Sequence, residues 1–246
     1  MTRLAIEQIA VVIPVHNEAV HLEACLRAVL AARDRLQCDL SAPQVQVVVV
    51  LDRCTDGSAG IAARFGAVQS VPADAATVGR ARAIGVERVL GDRPERVWVA
   101  CTDADSMVPP GWLVHHWAAA RSGTDLLLGT VRPALRLERL DPVRYAIWAA
   151  GYVSRFGHPH VHGANLGIRG DVYLASGGFP PLPTHEDVAL ADAVRAGGFR
   201  VVSSAAQPVD TSPRTVGRAP NGFATFLAER CAVPGTSAMR TDSGAR

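Results

Sequence analysis

A chain of 246 residues, 48% of them hydrophobic and 20% charged, is long enough to bury a sizeable core and too apolar to be disordered or fibrous. Its 25 basic residues are all arginine, they are scattered, and against 23 acidic residues they leave a net charge of +2, which excludes nucleic acid as an implied partner. Five cysteines without a C-x-x-C pair read as free thiols, no signal sequence opens the chain and no apolar run reaches ~18 residues, so the expectation is a cytoplasmic protein with at most peripheral membrane contact.

Residues 9–15, IAVVIPV, are continuously apolar and rich in β-branched side chains, as in a strand buried on both faces of a parallel sheet. Apolar residues at helical spacing (Leu22, Cys25, Leu26, Val29, Leu30) predict a helix over Leu22–Ala32. Val45–Leu51 predicts a second buried strand, Ser58–Phe65 a helix that Asp56 caps, Val68–Val71 a short strand, Val78–Leu90 a helix, and Arg96–Cys101 a fourth strand. Beyond it the pattern predicts helices at Gly111–Arg121, Asp141–Phe156 and Glu186–Ala196, and strands at Asp125–Val131 and Phe199–Ser203. Pro142 suits a first helical turn, and Gly197 with Gly198 suits a helix end. The tail at 236–246 is small and polar and reads as disordered.

Strands alternating with helices imply right-handed crossovers, an α/β class and a mostly parallel sheet flanked by helices. Ligands of such a sheet bind beyond the carboxyl ends of its strands. Three polar clusters stand at those ends: HNE after the first strand, DRCTDGS after the second and TDADS after the fourth. Asp103 and Asp105 are two apart, so an extended backbone sends both carboxylates to one side. Two close carboxylates resist joint ionisation unless a cation sits between them, and hard oxygen ligands suit Mg²⁺ or Mn²⁺. A solvated turn is the plainer reading of the same residues.

VVIPVHNE, VVVLDRCTDGSA, VGRARAIGV and CTDADS, in this order, resemble the nucleotide-binding half of family 2 glycosyltransferases, which have the GT-A fold; HGANLGIRGDVYLASGGF and HEDVALADAVRAGGFRV resemble the acceptor half. The resemblance implies one GT-A domain over residues 1–235, with a nucleotide-binding half at about 9–106 and an acceptor half at 107–235. It implies that Pro14, His16 and Glu18 line the nucleotide pocket, that Asp52 bonds the base edge, and that Arg82, with Arg80 close by, approaches the nucleotide. Asp103 would face ribose and metal, Asp105 would bind the metal, and of the pair Glu186–Asp187 the aspartate would be the catalytic base. His162, Gly163, Asn165 and Gly178 would stand on the acceptor side. The implied cofactor is a divalent cation, Mn²⁺ or Mg²⁺. The implied substrates are a nucleotide sugar, a UDP-sugar before GDP-mannose, and a hydroxyl acceptor, small or lipid-linked, with inversion at the transferred carbon. Leu51, Cys54 and Ala83 depart from the family's usual acid, serine and asparagine.

Other features carry two readings each. His158, His160 and His162 share one face of an extended segment and read as loop residues near the acceptor, or as zinc ligands. Where the resemblance implies a third metal contact, often a histidine, the chain has none after Phe199 and offers Asp210; Arg214 and Arg218 read as diphosphate partners or as surface arginines. Ile147, Trp148, Tyr152 and Phe156 read as a core stripe, or as a wall for a lipid or aromatic acceptor. A sugar-1-phosphate nucleotidyltransferase would need a glycine-rich phosphate loop with lysine, and the chain has no lysine. Retention of both Asp105 and Asp187 argues against a non-catalytic sugar-nucleotide module, the alternative that a product assay separates from an enzyme.

Overall fold

The β-branched run at the start of the chain becomes β1 (Gln8–Val15), whose residues Ile9 to Ile13 are wholly buried. It is followed by α1 (Leu22–Leu36), β2 (Gln44–Asp52), α2 (Ser58–Ala63), β3 (Val68–Ala73), α3 (Val78–Leu90) and β4 (Val97–Cys101). β1 pairs in parallel with β2 and β4, and β2 with β3, so the carboxyl ends of these four strands share one edge. Alternate residues of β1 serve opposite faces. Ile9, Val11 and Ile13 pack with Leu22, Leu26 and Val29 of α1, while Ala10 and Val12 pack with Ala81 and Val86 of α3. Full burial of each such Ile, Leu or Val contributes roughly 1.5–3 kcal/mol, which is why a slip of one residue in β1 is not tolerated.

The chain is described here as a computed structural model over residues 4–134, 142–214 and 227–228; Arg218, Cys231 and the polar tail lie outside them. The second half adds β5 (Ser106–Met107), α4 (Trp112–Arg121), β6 (Leu126–Pro133), α5 (Pro142–Gly151), β7 (Leu166–Arg169), α6 (Gly170–Ala175), α7 (Glu186–Ala196) and β8 (Val201–Thr211). One eight-stranded sheet results, in the order β3-β2-β1-β4-β7-β6-β8-β5. β7 is antiparallel to both β4 and β6, β8 runs parallel to β6, and β5 is antiparallel to β8. The fold is a mostly parallel α/β sheet with helices on both faces, as the strand–helix alternation implies.

Three departures from the sequence pattern concern this half. Residues 166–169 form a central strand although LGIR holds only two branched apolar side chains. β8 runs to Thr211, eight residues past Ser203, because the polar stretch Ser203–Gln207 stays on the sheet through a register shift opposite Gly129 and Val131. Pro208 is accommodated beside that irregularity. The helix begun by Pro142 stops at Gly151 and so does not carry Phe156, which is 78% exposed. Trp148 packs against Tyr145, Tyr152 and Leu227, whereas Ile147 faces outward. Among the described residues no helix is long and apolar enough to cross a membrane.

Candidate active site

At the carboxyl edge of β1, β2 and β4 lies a cavity of about 930 Å³. It is walled by Pro14, His16 and Glu18 after β1, Asp52 at the end of β2, Arg82 on α3 and the Asp103–Asp105 turn after β4. The opposite wall comes from His162–Gly163 and from Glu186–Asp187 at the start of α7. The polar clusters after three separate strands therefore meet, as the rule for parallel sheets requires. Of the four non-glycine residues with positive φ among the described residues, Arg53, Ala76 and His185 line the cavity and Asn17 stands between two residues that do. Left-handed backbone at such residues costs on the order of 1–3 kcal/mol each and concentrates where function constrains the chain.

Asp52 is fixed from several sides. Its carboxylate accepts from the Ala75 N–H at 2.8 Å and the Arg53 Nε–H at 3.3 Å, and its carbonyl oxygen meets His16 Nδ1 at 2.7 Å. Asn17 ties the first loop to the second by accepting from the Thr55 N–H at 2.8 Å. Asp56 accepts from the Ser58 N–H at 3.0 Å and from the Ala19 N–H at 2.9 Å, but the cap position of α2 is Gly57, so Asp56 holds the turn before the helix and is not its cap.

Asp103 and Asp105 do share the cavity, but not by an extended backbone. The Ser106 N–H donates to the Asp103 carbonyl at 3.0 Å and closes a turn, so each carboxylate meets its own arginine. Asp103 takes Arg82, and Asp105 takes Arg214 at 2.8 Å. Arg214 also donates to Glu18 at 2.9 Å. Ser106 and Thr211 donate their hydroxyls to the other oxygen of Asp105, at 3.2 and 3.4 Å. Burial pushes the Asp105 carboxyl up to about 6, with Arg214 pulling the other way and Asp103 and Glu18 adding to the rise.

Arg82 is 3% exposed and bridges Asp103 to Glu186. Burial opposes its charge, but the two carboxylates hold its pKa above the ordinary arginine value. Glu186 is shifted upward, by burial first and against the pull of Arg82. The guanidinium fits because residue 163 is glycine, where a Cβ would lie 2.4 Å from Arg82 Cζ. The Gly163 N–H donates to Asp187 Oδ2 at 2.7 Å, and the Val188 N–H to Oδ1 at 2.8 Å. Asp187, the loop at Gly163 and the aspartate turn thus form one connected frame.

Three predicted site residues stand elsewhere. Arg80, two residues before Arg82 on α3, points away from the cavity and pairs with Glu87 at 2.8 Å. Asn165 is a buried structural clamp, accepting from Trp112 Nε1 and donating to the carbonyls of Thr130 and Gln207, all at 2.9 Å. Gly178 turns the chain at φ +71° against Tyr173, whose hydroxyl accepts from the Phe179 N–H at 3.0 Å. Asp210 is tied to Arg132 on the neighbouring strand.

His158, His160 and His162 stack side by side, with centroids 5.6 and 5.8 Å apart, and do not converge on a metal position. His160 Nε2 accepts from the Val153 N–H at 3.2 Å, and His162 Nε2 meets the Tyr152 hydroxyl at 2.9 Å. Tyr152 lies flat on His160 at 4.1 Å and on Trp148 at 4.8 Å, so the aromatic stripe divides between core and cavity wall. Burial, with His160 and His158 beside it, holds the His162 pKa down at about 3 and keeps the ring neutral. The sequence reading missed Arg53, Thr211, Ser212 and Pro183–His185 on the lining. Arg53 and His185 lie inside the clusters DRCTDGS and HEDVALADAVRAGGFRV, and Thr211 and Ser212 just before Arg214, but none was singled out.

Carboxylates on one turn fit a divalent cation whose shell is completed by substrate phosphates, as Mg²⁺ and Mn²⁺ commonly are. Among the described residues no group of three or more His, Cys, Asp or Glu side chains makes a closed metal site.

The fold is that of the GT-A glycosyltransferases. S. aureus TarS 1–349, solved with UDP-GlcNAc, is similar over 88% of this chain and 61% of its own, at 15% identity and TM-score 0.64. The mannosyltransferase PcManGT from Pyrobaculum calidifontis, solved with GDP-Man and Mn²⁺, is similar over 89% of this chain and 67% of its own, at 19% identity and TM-score 0.60. The chain thus spans about three fifths of the TarS fragment. The profile of Glycosyl transferase family 2 matches residues 10–163, and the chain belongs to that family. A search of curated proteins returned no match.

Proposed function

We propose that the protein transfers a sugar, with inversion, from a nucleoside diphosphate sugar to a hydroxyl acceptor. The observation that supports this most is that Asp52, Asp105 and Asp187, from three distant parts of the chain, line one cavity. Asp52, held rigidly by backbone N–H groups, would accept from the edge of the base, with His16 and Arg53 beside it. A UDP-sugar is the preferred donor and GDP-mannose the next. Asp103 and Asp105 would hold a divalent cation, which when bound neutralises charge on the departing diphosphate.

Asp187 takes the proton from the acceptor hydroxyl as its oxygen attacks the anomeric carbon. The new glycosidic bond forms while the bond to the diphosphate breaks, and the nucleoside diphosphate leaves with the electron pair. Two backbone N–H groups preset the Asp187 carboxylate, so the base spends no reaction time reorienting. Glu186 positions it from the neighbouring residue by anchoring the start of α7 to Arg82. The acceptor end is lined by neutral imidazoles and Tyr152, which suits a small or lipid-linked alcohol presented in the cytoplasm.

The test is Asp187→Asn. Donor affinity by calorimetry should stay within a few fold of the parent, while turnover falls by roughly 10²–10⁴-fold, the usual contribution of a positioned base. Loss of donor binding in parallel would give Asp187 a different role.

A further inference from the structure

Arg214 follows the end of β8 and reaches back across the cavity to carboxylates on two other loops. Its backbone is fixed locally: the Ser212 N–H donates to the Asp105 carbonyl at 3.1 Å, and the Arg214 N–H to Ser212 Oγ at 3.3 Å. Its guanidinium bridges Glu18 at 2.9 Å and Asp105 at 2.8 Å, carboxylates only 7% and 11% exposed. A planar fork between two buried acids acts as a resident counter-ion to both.

The placement sets up a competition. Asp105 Oδ1 already receives the Ser106 and Thr211 hydroxyls, and Oδ2 receives Arg214. A divalent cation approaching Oδ2 meets a positive charge already in place. The other cavity arginines are committed elsewhere, Arg82 to Asp103 and Glu186 and Arg53 to Asp52 and Asp74. Phosphate oxygens offer the guanidinium a bidentate partner as good as the carboxylates it would give up.

We infer that Arg214 occupies the cation's place on Asp105 in the free protein and moves to the donor's diphosphate when nucleotide and metal enter together. The inference rests on the donor reading above and adds to it an order of binding: metal binds poorly alone and well only with a diphosphate. Linkage then requires that each ligand raise the affinity of the other by the same factor.

The experiment compares the wild type with Arg214→Gln. Mn²⁺ binding without nucleotide is read by electron paramagnetic resonance of free Mn²⁺, and UDP binding at saturating Mn²⁺ by calorimetry. The glutamine variant should bind Mn²⁺ alone at least about tenfold more tightly, since its competitor is gone, and UDP with Mn²⁺ at least about tenfold more weakly, since the diphosphate loses its fork. Two changes of opposite sign are the signature. Unchanged or weaker binding of Mn²⁺ alone, or unchanged UDP affinity, overturns the inference.

Should Arg214→Gln fail to fold, Arg214→Lys takes its place. It keeps the charge, so Mn²⁺ alone should bind within about threefold of the wild type, while UDP affinity falls because an ammonium cannot span two oxygens. Undiminished UDP affinity in that variant overturns the inference as well. If neither UDP nor GDP binds the wild type with Mn²⁺, the donor reading falls and takes this inference with it. Donor binding that ignores Arg214 sinks the inference alone.

Discussion

Gly163 shows how much one missing side chain can organise. Its N–H holds Asp187 while its bare Cα leaves room for Arg82, so it serves the proposed base and the aspartate turn at once. Gly163→Ala places a methyl group 2.4 Å from Arg82 Cζ, and the guanidinium is held by two carboxylates, so relief must come from the loop. The expected outcome is a fall in kcat of about tenfold or more, since small misplacement of a catalytic group is costly. UDP affinity should change less than threefold. Equal losses of kcat and UDP affinity would mean that the loop serves the donor instead. Sequence could nominate Gly163, Arg82 and Asp187 separately, but the contact among them joins residues far apart in the chain and has no local signal. Arg80 shows the converse error. Two positions along a helix turn a side chain by about 200°, so two arginines that look equivalent in VGRAR cannot both face one cavity.

At the scale of elements, most of the first half was legible because β1, β2 and β4 are largely apolar runs and α1 and α3 are periodic. The bounds of α3 and α7 agree with the pattern at both ends. Where an element is stabilised by its neighbours instead, the pattern fails. β7 is four residues long and exists because it fills the gap between β4 and β6, and polar β8 is held by β6 on one side and β5 on the other. Asn165 belongs to this second kind. Its amide joins α4, β6 and β8, and Asn165→Ala would strand the Trp112 N–H and the carbonyls of Thr130 and Gln207 inside the protein. A buried polar group left without its partner costs about 1–3 kcal/mol, so the variant should lose at least about 3 kcal/mol in denaturant unfolding. The affinity of its folded fraction for UDP with Mn²⁺ should be unchanged. A stable variant with weakened donor binding would return Asn165 to the site.

For the whole molecule, the sheet both gathers the site and seals ionisable groups beneath it, and this gives stability a pH dependence with a definite sign. His116 of α4 is wholly buried between Trp98 of β4 and Trp112, and its Nδ1 accepts from the Trp98 indole N–H at 3.0 Å. Burial first, then His115 beside it, lowers its pKa to about 3. An unfolded chain protonates this ring below about 6.5 while the folded chain does not, so the unfolded state binds more protons and stability falls as the pH falls. The loss begins near the unfolded value, continues until pH reaches the folded one, and should amount to roughly 2 kcal/mol at pH 5 from His116 alone. His162 acts in the same direction. Asp105 acts against them, because a carboxyl raised to about 6 gives the folded state the extra proton. A single melting curve therefore mixes opposing contributions, and the informative quantity is a difference. His116→Gln cannot titrate but leaves Asp105 and His162 in place, so the drop in stability from pH 7 to pH 5 should be smaller in the variant by about 2 kcal/mol. Parallel drops in the two proteins would show that His116 does not carry the acid sensitivity, whatever the variant's stability at neutral pH.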